Sequence, residues 1–306
     1  MSIKAIIDVG SNSIKMFVGE MAPDGTIRAI LDENDIARLG EGLREKGMIN
    51  PEAMARNSEA IKSFAAKARE NGADEIVCVG TMALRNAKNT GEFLKLVKET
   101  SGIDLTVIPG EEEARLSYLA VLSGLPIDNG ELAIFDTGGG STEFVFGDAS
   151  QANKRFSVDL GAIRITEKHF TNNPVTPESV TAALAEIDGI FAENNVAGNV
   201  TKLVGMGGNV TSMGAVKHKM SKYDPDIIQG STLTLREVDE QIALYSSCTL
   251  EKRREIVGLQ PKRADIILAG ACIVKVIISR LGVDKLTISD RGLRHGLAYD
   301  MLDNKF

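Results

Sequence analysis

The sequence predicts two α/β domains of like build, and three observations carry that prediction. Residues 5–20, AIIDVGSNSIKMFVGE, and residues 133–148, AIFDTGGGSTEFVFGD, superpose at an offset of 128, with Ala, Ile, Asp, Gly, Ser and Gly in common. Apolar, β-branched runs alternate with helical stretches along the whole chain. Between the two patterns lies GLPIDNG (124–130), polar and turn-forming. The expected domains are therefore 1–124 and 125–306, each opening on the same strand–loop–strand, with a ligand-binding cleft between them. The hairpins are antiparallel and the helical crossovers favour parallel pairing, so each sheet is expected to be mixed.

The elements follow in order. Residues 4–8 and 14–19 are apolar runs around a Gly-Ser-Asn-Ser turn, hence strand, turn, strand. Asn50-Pro51 is a helix start, with the cap residue followed by proline at the first helical position, and the helix runs to about 70. A strand at 75–79, a helix at 90–100 and a strand at 105–108 lead to a helix at 111–122. Its three opening glutamates suit the positive end of the helix dipole. The second pattern gives strands at 132–136, 142–146 and 156–160, a helix at 177–194, and a strand at 202–205 running into Gly207-Gly208 and a helix. Helices at 235–245, 250–257 and 263–281, a strand at 285–289 and a helix at 292–302 complete it. That last helix, coming after the final strand, is a candidate to fold back onto the first domain.

Composition narrows the function classes. Of the 306 residues, 43% are hydrophobic, enough to fill two cores. The net charge of −7 argues against general nucleic-acid binding but not against an anion held in a locally basic site. Lys15, Arg85, Arg164, Lys217, Arg263 and Arg294 are the candidate cations. Three cysteines without a CxxC pair read as reduced thiols. The apolar run before Asp8 is too short for a signal peptide and no stretch reaches membrane-span length, so a cytoplasmic protein without membrane contact is expected. The three histidines are scattered, with no zinc spacing.

The loops carry the chemistry. Gly10-Ser11-Asn12-Ser13 and Gly138-Gly139-Gly140-Ser141 each follow a buried strand, so backbone N–H groups and serine hydroxyls can donate to phosphate oxygens. Asp8 and Asp136, ending those strands, cannot bind phosphate but can hold Mg²⁺ that bridges to it. Either loop alone would read as an ordinary hairpin turn; two copies with matching Asp, Gly and Ser point to a phosphate ligand. Gly205-Met206-Gly207-Gly208 fails as a dinucleotide fingerprint, since Val210 stands where the third glycine belongs, but it remains a phosphate or nucleoside contact. Asp8, Asp136 and Glu143 offer hard oxygen ligands, which suit Mg²⁺ or Mn²⁺ rather than zinc.

DVGSNSIKMFV (8–18), PGEEEAR (109–115), FDTGGGSTE (135–143), KRADIILAG (262–270) and SDRGLRHG (289–296) resemble, in the same order, the motifs of the exopolyphosphatase/guanosine pentaphosphate phosphohydrolase (Ppx/GppA) family. That family belongs to the actin/Hsp70/sugar kinase superfamily, so the resemblance implies duplicated actin-like, ribonuclease H-like domains. It implies Mg²⁺-assisted hydrolysis of the terminal phosphoanhydride of polyphosphate or guanosine pentaphosphate, with Glu113 as the catalytic glutamate and Glu143 as its alternate or a metal ligand. Arg85 becomes a ligand of the substrate anion, acting mainly on KM; Lys15 joins the phosphate-binding set, and a homodimer is expected. The family's third loop reads Gly-Gly-Thr, whereas Asn209 stands here at the threonine. Longer members add C-terminal helical domains that bind long polyphosphate; this chain resembles the short form. A superfamily kinase would need an acceptor pocket, and an ATP-gated scaffold an interaction module; neither is visible in the sequence.

Overall fold

The computed structural model describes residues 2–22, 27–127 and 130–303. Residues 128 and 129 of the expected boundary stretch lie outside the described residues. The chain divides into two compact units, Met1–Ser123 with Gly292–Phe306, and Gly124–Arg291.

The first unit comprises β1 (Ile3–Val9), β2 (Ile14–Met21), β3 (Ile27–Asp35), α1 (Leu43–Lys46), α2 (Pro51–Glu70), β4 (Glu75–Gly80), α3 (Met82–Asn86), α4 (Thr90–Ser101), β5 (Leu105–Val107) and α5 (Gly110–Leu122). Its sheet runs β3-β2-β1-β4-β5. The hairpins pair antiparallel, and β1, β4 and β5 lie parallel. Helix α2 starts as the sequence predicts: the Asn50 side chain accepts from the Ala53 amide at 2.7 Å, with Pro51 in the first turn. Ile61, Phe64, Ala65 and Ala68 bury its inner stripe against Ile7, Val9 and Met16 of the sheet.

The second unit comprises β6 (Leu132–Thr137), β7 (Thr142–Gly147), β8 (Ala152–Val158), α6 (Ala162–His169), α7 (Pro177–Glu193), β9 (Lys202–Met206), α8 (Gly207–Lys217), α9 (Pro225–Ile228), β10 (Thr232–Thr234), α10 (Leu235–Ser247), α11 (Leu250–Arg253), a 3₁₀ turn (Pro261–Arg263), α12 (Ile267–Arg280) and β11 (Lys285–Ile288). Its sheet order is β10-β11-β9-β6-β7-β8. Five of these strands repeat the first unit strand for strand, β8-β7-β6-β9-β11 against β3-β2-β1-β4-β5, with β10 added at one edge. Both sheets are mixed, as expected from the hairpins and crossovers. Helix α12 is buried along most of its length, and its Ile, Leu, Val and Ala side chains fill the core with Phe135, Phe144 and Phe191.

The chain then returns to the first unit as α13 (Leu293–Asp303). Leu293 packs with Val79, Ile108 and Leu116, and Ala298 with Ile6 and Phe17. The second unit therefore stops at Arg291 instead of running to the end of the chain. Among the described residues, no helix is long and apolar enough to cross a membrane.

Several elements differ from the sequence expectation. The strand expected at 156–160 runs Ala152–Val158, because exposed Asn153, Lys154 and Arg155 form the outer edge of the sheet while Phe156 and Val158 turn inward. Strand β3 is not among the expected elements: its apolar start (Ile27, Ala29, Ile30, Leu31) runs into the polar stretch Asp32–Asp35, yet it pairs along β2 as an edge strand. The helix expected at 250–257 is a single turn, Leu250–Arg253. Buried Arg253 donates there to the carbonyls of Tyr245 and Ala264 at 2.8 and 3.1 Å, contacts that hold the following segment as loop.

Candidate active site

In each unit, most of the residues nominated by sequence follow the carboxyl ends of parallel strands, the edge where ligands bind in open α/β sheets. In the first unit β1 leads to residues 10–13, β4 to Arg85 and β5 to Glu113. In the second, β6 leads to residues 138–141 and β9 to Gly207-Gly208.

The two loops are the same turn. Gly10 N–H donates to the Ser13 carbonyl at 3.0 Å, and Gly138 N–H to the Ser141 carbonyl at 3.0 Å. The flanking pairs are Val9 with Ile14 and Thr137 with Thr142. Ser11, Asn12 and Ser141 are buried. In the first loop the outer carbonyls are already engaged: Gly40 donates to Ser11 and Arg38 to Asn12.

One pair further down each hairpin, the charges diverge. Asp8 faces Lys15 across the strands, whereas Asp136 faces Glu143. Like charges directly opposite are unfavourable unless something positive lies between them. Glu143 is 4% exposed and accepts from the Ser157 hydroxyl at 2.7 Å. The Asp136 carboxylate lies against Gly207, where an added Cβ would fall 2.2 Å from its Oδ1. Two oxygen donors of this kind are the hard ligands that suit a divalent cation such as Mg²⁺ or Mn²⁺. No group of three or more His, Cys, Asp or Glu side chains among the described residues is placed to hold a metal ion.

Glu113 sits in the first turn of α5, whose N-terminus has no side-chain cap. Its side chain is 8% exposed and ion-paired with Arg85 Nη1, which also donates to the Ile108 carbonyl at 3.0 Å. Glu111 is exposed, and Glu112 pairs with Arg115.

The remaining cations separate clearly. Arg263 is buried with its guanidinium against Gly208, beside the uncapped start of α8. Burial lowers its pKa to about 10, against the opposing pull of Tyr223 and Asp265, so it stays charged at neutral pH. Lys217 instead binds the Thr232 carbonyl and Glu237, Arg294 pairs with Asp32, and Arg164 with Glu186. Burial, then the neighbouring Asp8, pushes the Cys78 thiol far up, which keeps it protonated and inert.

Two contacts that position the second loop escaped the sequence reading, which notes Asn209 only as standing at the family's threonine and does not note Gly161. Asn209 is buried and donates its amide to the Thr137 and Gly138 carbonyls at 3.0 and 3.3 Å, clamping the loop to α8. Gly161 lies against the loop: an added Cβ would fall 2.4 Å from the Gly139 carbonyl carbon and the Gly140 nitrogen. The amides of Ala162 and Ile163 then donate to the Gly138 and Gly139 carbonyls. Neither signal was legible, since each contact joins distant parts of the sequence.

Glycine–serine turns repeated at the strand ends of a duplicated α/β fold are the feature that the two units share. The pattern of the Ppx/GppA phosphatase family matches residues 19–305, and the chain belongs to that family. It is 30% identical over 314 residues to the bifunctional 3-dehydroquinate synthase/phosphatase of Fusobacterium nucleatum, a match that covers 99% of this chain and 47% of that relative. It is 29% identical over 312 residues to exopolyphosphatase 2 of Mycobacterium tuberculosis, over 97% of this chain and 98% of the relative. The Ppx/GppA family member of Aquifex aeolicus, a crystal structure, superposes with a TM-score of 0.83 at 30% identity, over 98% and 97% of the two chains.

Proposed function

We propose that the chain is an exopolyphosphatase-type phosphohydrolase that releases terminal phosphate from inorganic polyphosphate or guanosine pentaphosphate. The carrying observation is the duplicated turn, in which Gly10 and Gly138 close on Ser13 and Ser141 in the same way. Membership of the phosphatase family favours hydrolysis over transfer to an acceptor.

In this reading the backbone N–H groups of the two loops and the Ser13 and Ser141 hydroxyls donate to phosphate oxygens, with Lys15, Arg85 and the Gly207-Gly208 turn as further anion contacts. Asp136, Glu143 and Asp8 would hold Mg²⁺ or Mn²⁺. When bound, the cation neutralises charge on the transferred group. Glu113 orients a water and takes its proton as the water oxygen bonds to phosphorus and the bridging oxygen departs. A cytoplasmic homodimer completes the reading.

The test is free phosphate released, without any added acceptor, from polyphosphates of several lengths, guanosine pentaphosphate and ATP, with and without EDTA. Release from polyphosphate or guanosine pentaphosphate that EDTA abolishes is expected. Turnover that requires an alcohol or carboxylate acceptor would make the protein a kinase.

A further inference from the structure

Arg85 lies on the short helix α3, held by its amide bond to the Thr81 carbonyl at 3.1 Å. Leu84 wedges this helix onto the strand end, where a Cβ at Gly80 would meet Leu84 Cδ1 at 2.3 Å. Both bonds of the guanidinium leave from one nitrogen: Nη1 donates to the Ile108 carbonyl and to Glu113 Oε2. A guanidinium carries five N–H donors in a rigid planar fork. Two are used at Nη1, and among the described residues Nε and Nη2 make no hydrogen bond. The side chain is 20% exposed, so those three donors remain within reach of a ligand.

We propose that Arg85 is the positioning residue for the base. One edge of its guanidinium fixes the Glu113 carboxylate while the other takes a phosphate oxygen of the substrate. The planar fork then sets the distance between base and phosphate as a single rigid piece. This rests on the assignment of Glu113 as base. A residue that only held remote phosphate would move KM alone; a positioning residue moves kcat as well.

The test measures kcat and KM separately for phosphate release from tripolyphosphate by R85A, R85K, E113Q and the double variant R85A/E113Q. R85A is expected to raise KM and to lower kcat about 10²-fold, the size of loss that follows a misplaced catalytic group. R85K carries the charge but lacks the fork, so it should recover most of KM and little of kcat. The double variant should have a kcat no lower than E113Q alone, because the arginine acts through the glutamate. Wild-type kcat in R85A with only KM raised, or full recovery of kcat by R85K, would overturn the proposal. Should R85A fail to fold, R85K and the cycle R85K/E113Q decide in the same way. Near-wild-type activity of E113Q would instead sink the assignment of the base and leave the anion-binding role of Arg85 standing.

Discussion

Three consecutive glutamates open α5, and a helix dipole treats them almost alike. Their surroundings separate them. Glu111 faces solvent, Glu112 is engaged by Arg115, and Glu113 is buried against Arg85. Sequence reached Glu113 only through family resemblance, because burial and an arginine 28 positions away are invisible to local pattern. General-base assistance is worth about 10²–10⁴-fold, so Glu113→Gln should lower kcat by roughly that factor. Competitive inhibition by inorganic phosphate should persist in the variant. If Glu113→Gln turns over normally and Glu143→Gln is dead, the two glutamates exchange roles.

The second glycine–serine loop is shaped by what surrounds it. Helix α6 donates two backbone amides into it, Asn209 clamps it from α8, and Gly161 leaves room for its backbone. Gly161 has φ −141°, which any residue adopts, so the cost of a side chain there is purely steric. Gly161→Ala should push residues 139–140 out of place and lower kcat/KM by about 10²-fold. Gly189→Ala on α7 is the control, since a Cβ there meets nothing within 4 Å; it should leave activity intact and add up to about 1 kcal/mol of stability. Wild-type kcat/KM in Gly161→Ala would mean that the loop tolerates displacement.

At the scale of the molecule, the chain leaves its first unit at Ser123 and re-enters it at Gly292. The returning helix α13 crosses α5 so closely that a Cβ at Gly296 would fall 1.9 Å from the Leu116 carbonyl oxygen. Its first turn is fixed by Asp32 on β3, which takes Arg294 Nε and Nη2 at 2.8 and 3.0 Å and His295 Nε2 at 2.9 Å. Burial would raise the Asp32 pKa, but the Arg294 charge and the His295 contacts outweigh it and hold the carboxyl well below its usual value. A depressed carboxylate stabilises the fold above its unfolded pKa and loses that contribution as the pH falls further. Asp32 remains exposed, so water screens its ion pairs, and Asp32→Asn should cost no more than about 1 kcal/mol at neutral pH, with the gap to wild type narrowing from about pH 4 downward. Urea midpoints across pH 2–8 measure it; a gap independent of pH would remove the ion cluster as its cause.

The sequence by itself determined the duplication, the two hairpins with their aspartates and glycine–serine turns, the mixed sheets and the capped start of α2. All of these rest on local periodicity or on residues a few positions apart, and the repeat made the loops legible twice over. The return of the last helix to the first unit was also expected from its place after the final strand. Tertiary structure alone decided the edge strand β3, the ion cluster that seats α13, the clamping contacts of Asn209 and Gly161, and the pairing of Arg85 with Glu113. Apart from β3, which pairs with its neighbour β2, contact between residues tens to hundreds of positions apart sets the outcome, and no local pattern encodes which distant side chain will arrive. The same separation explains why Asp136 and Glu143 could be named from a single hairpin as oxygen ligands, while the fate of Arg294 and Lys217 could not be read.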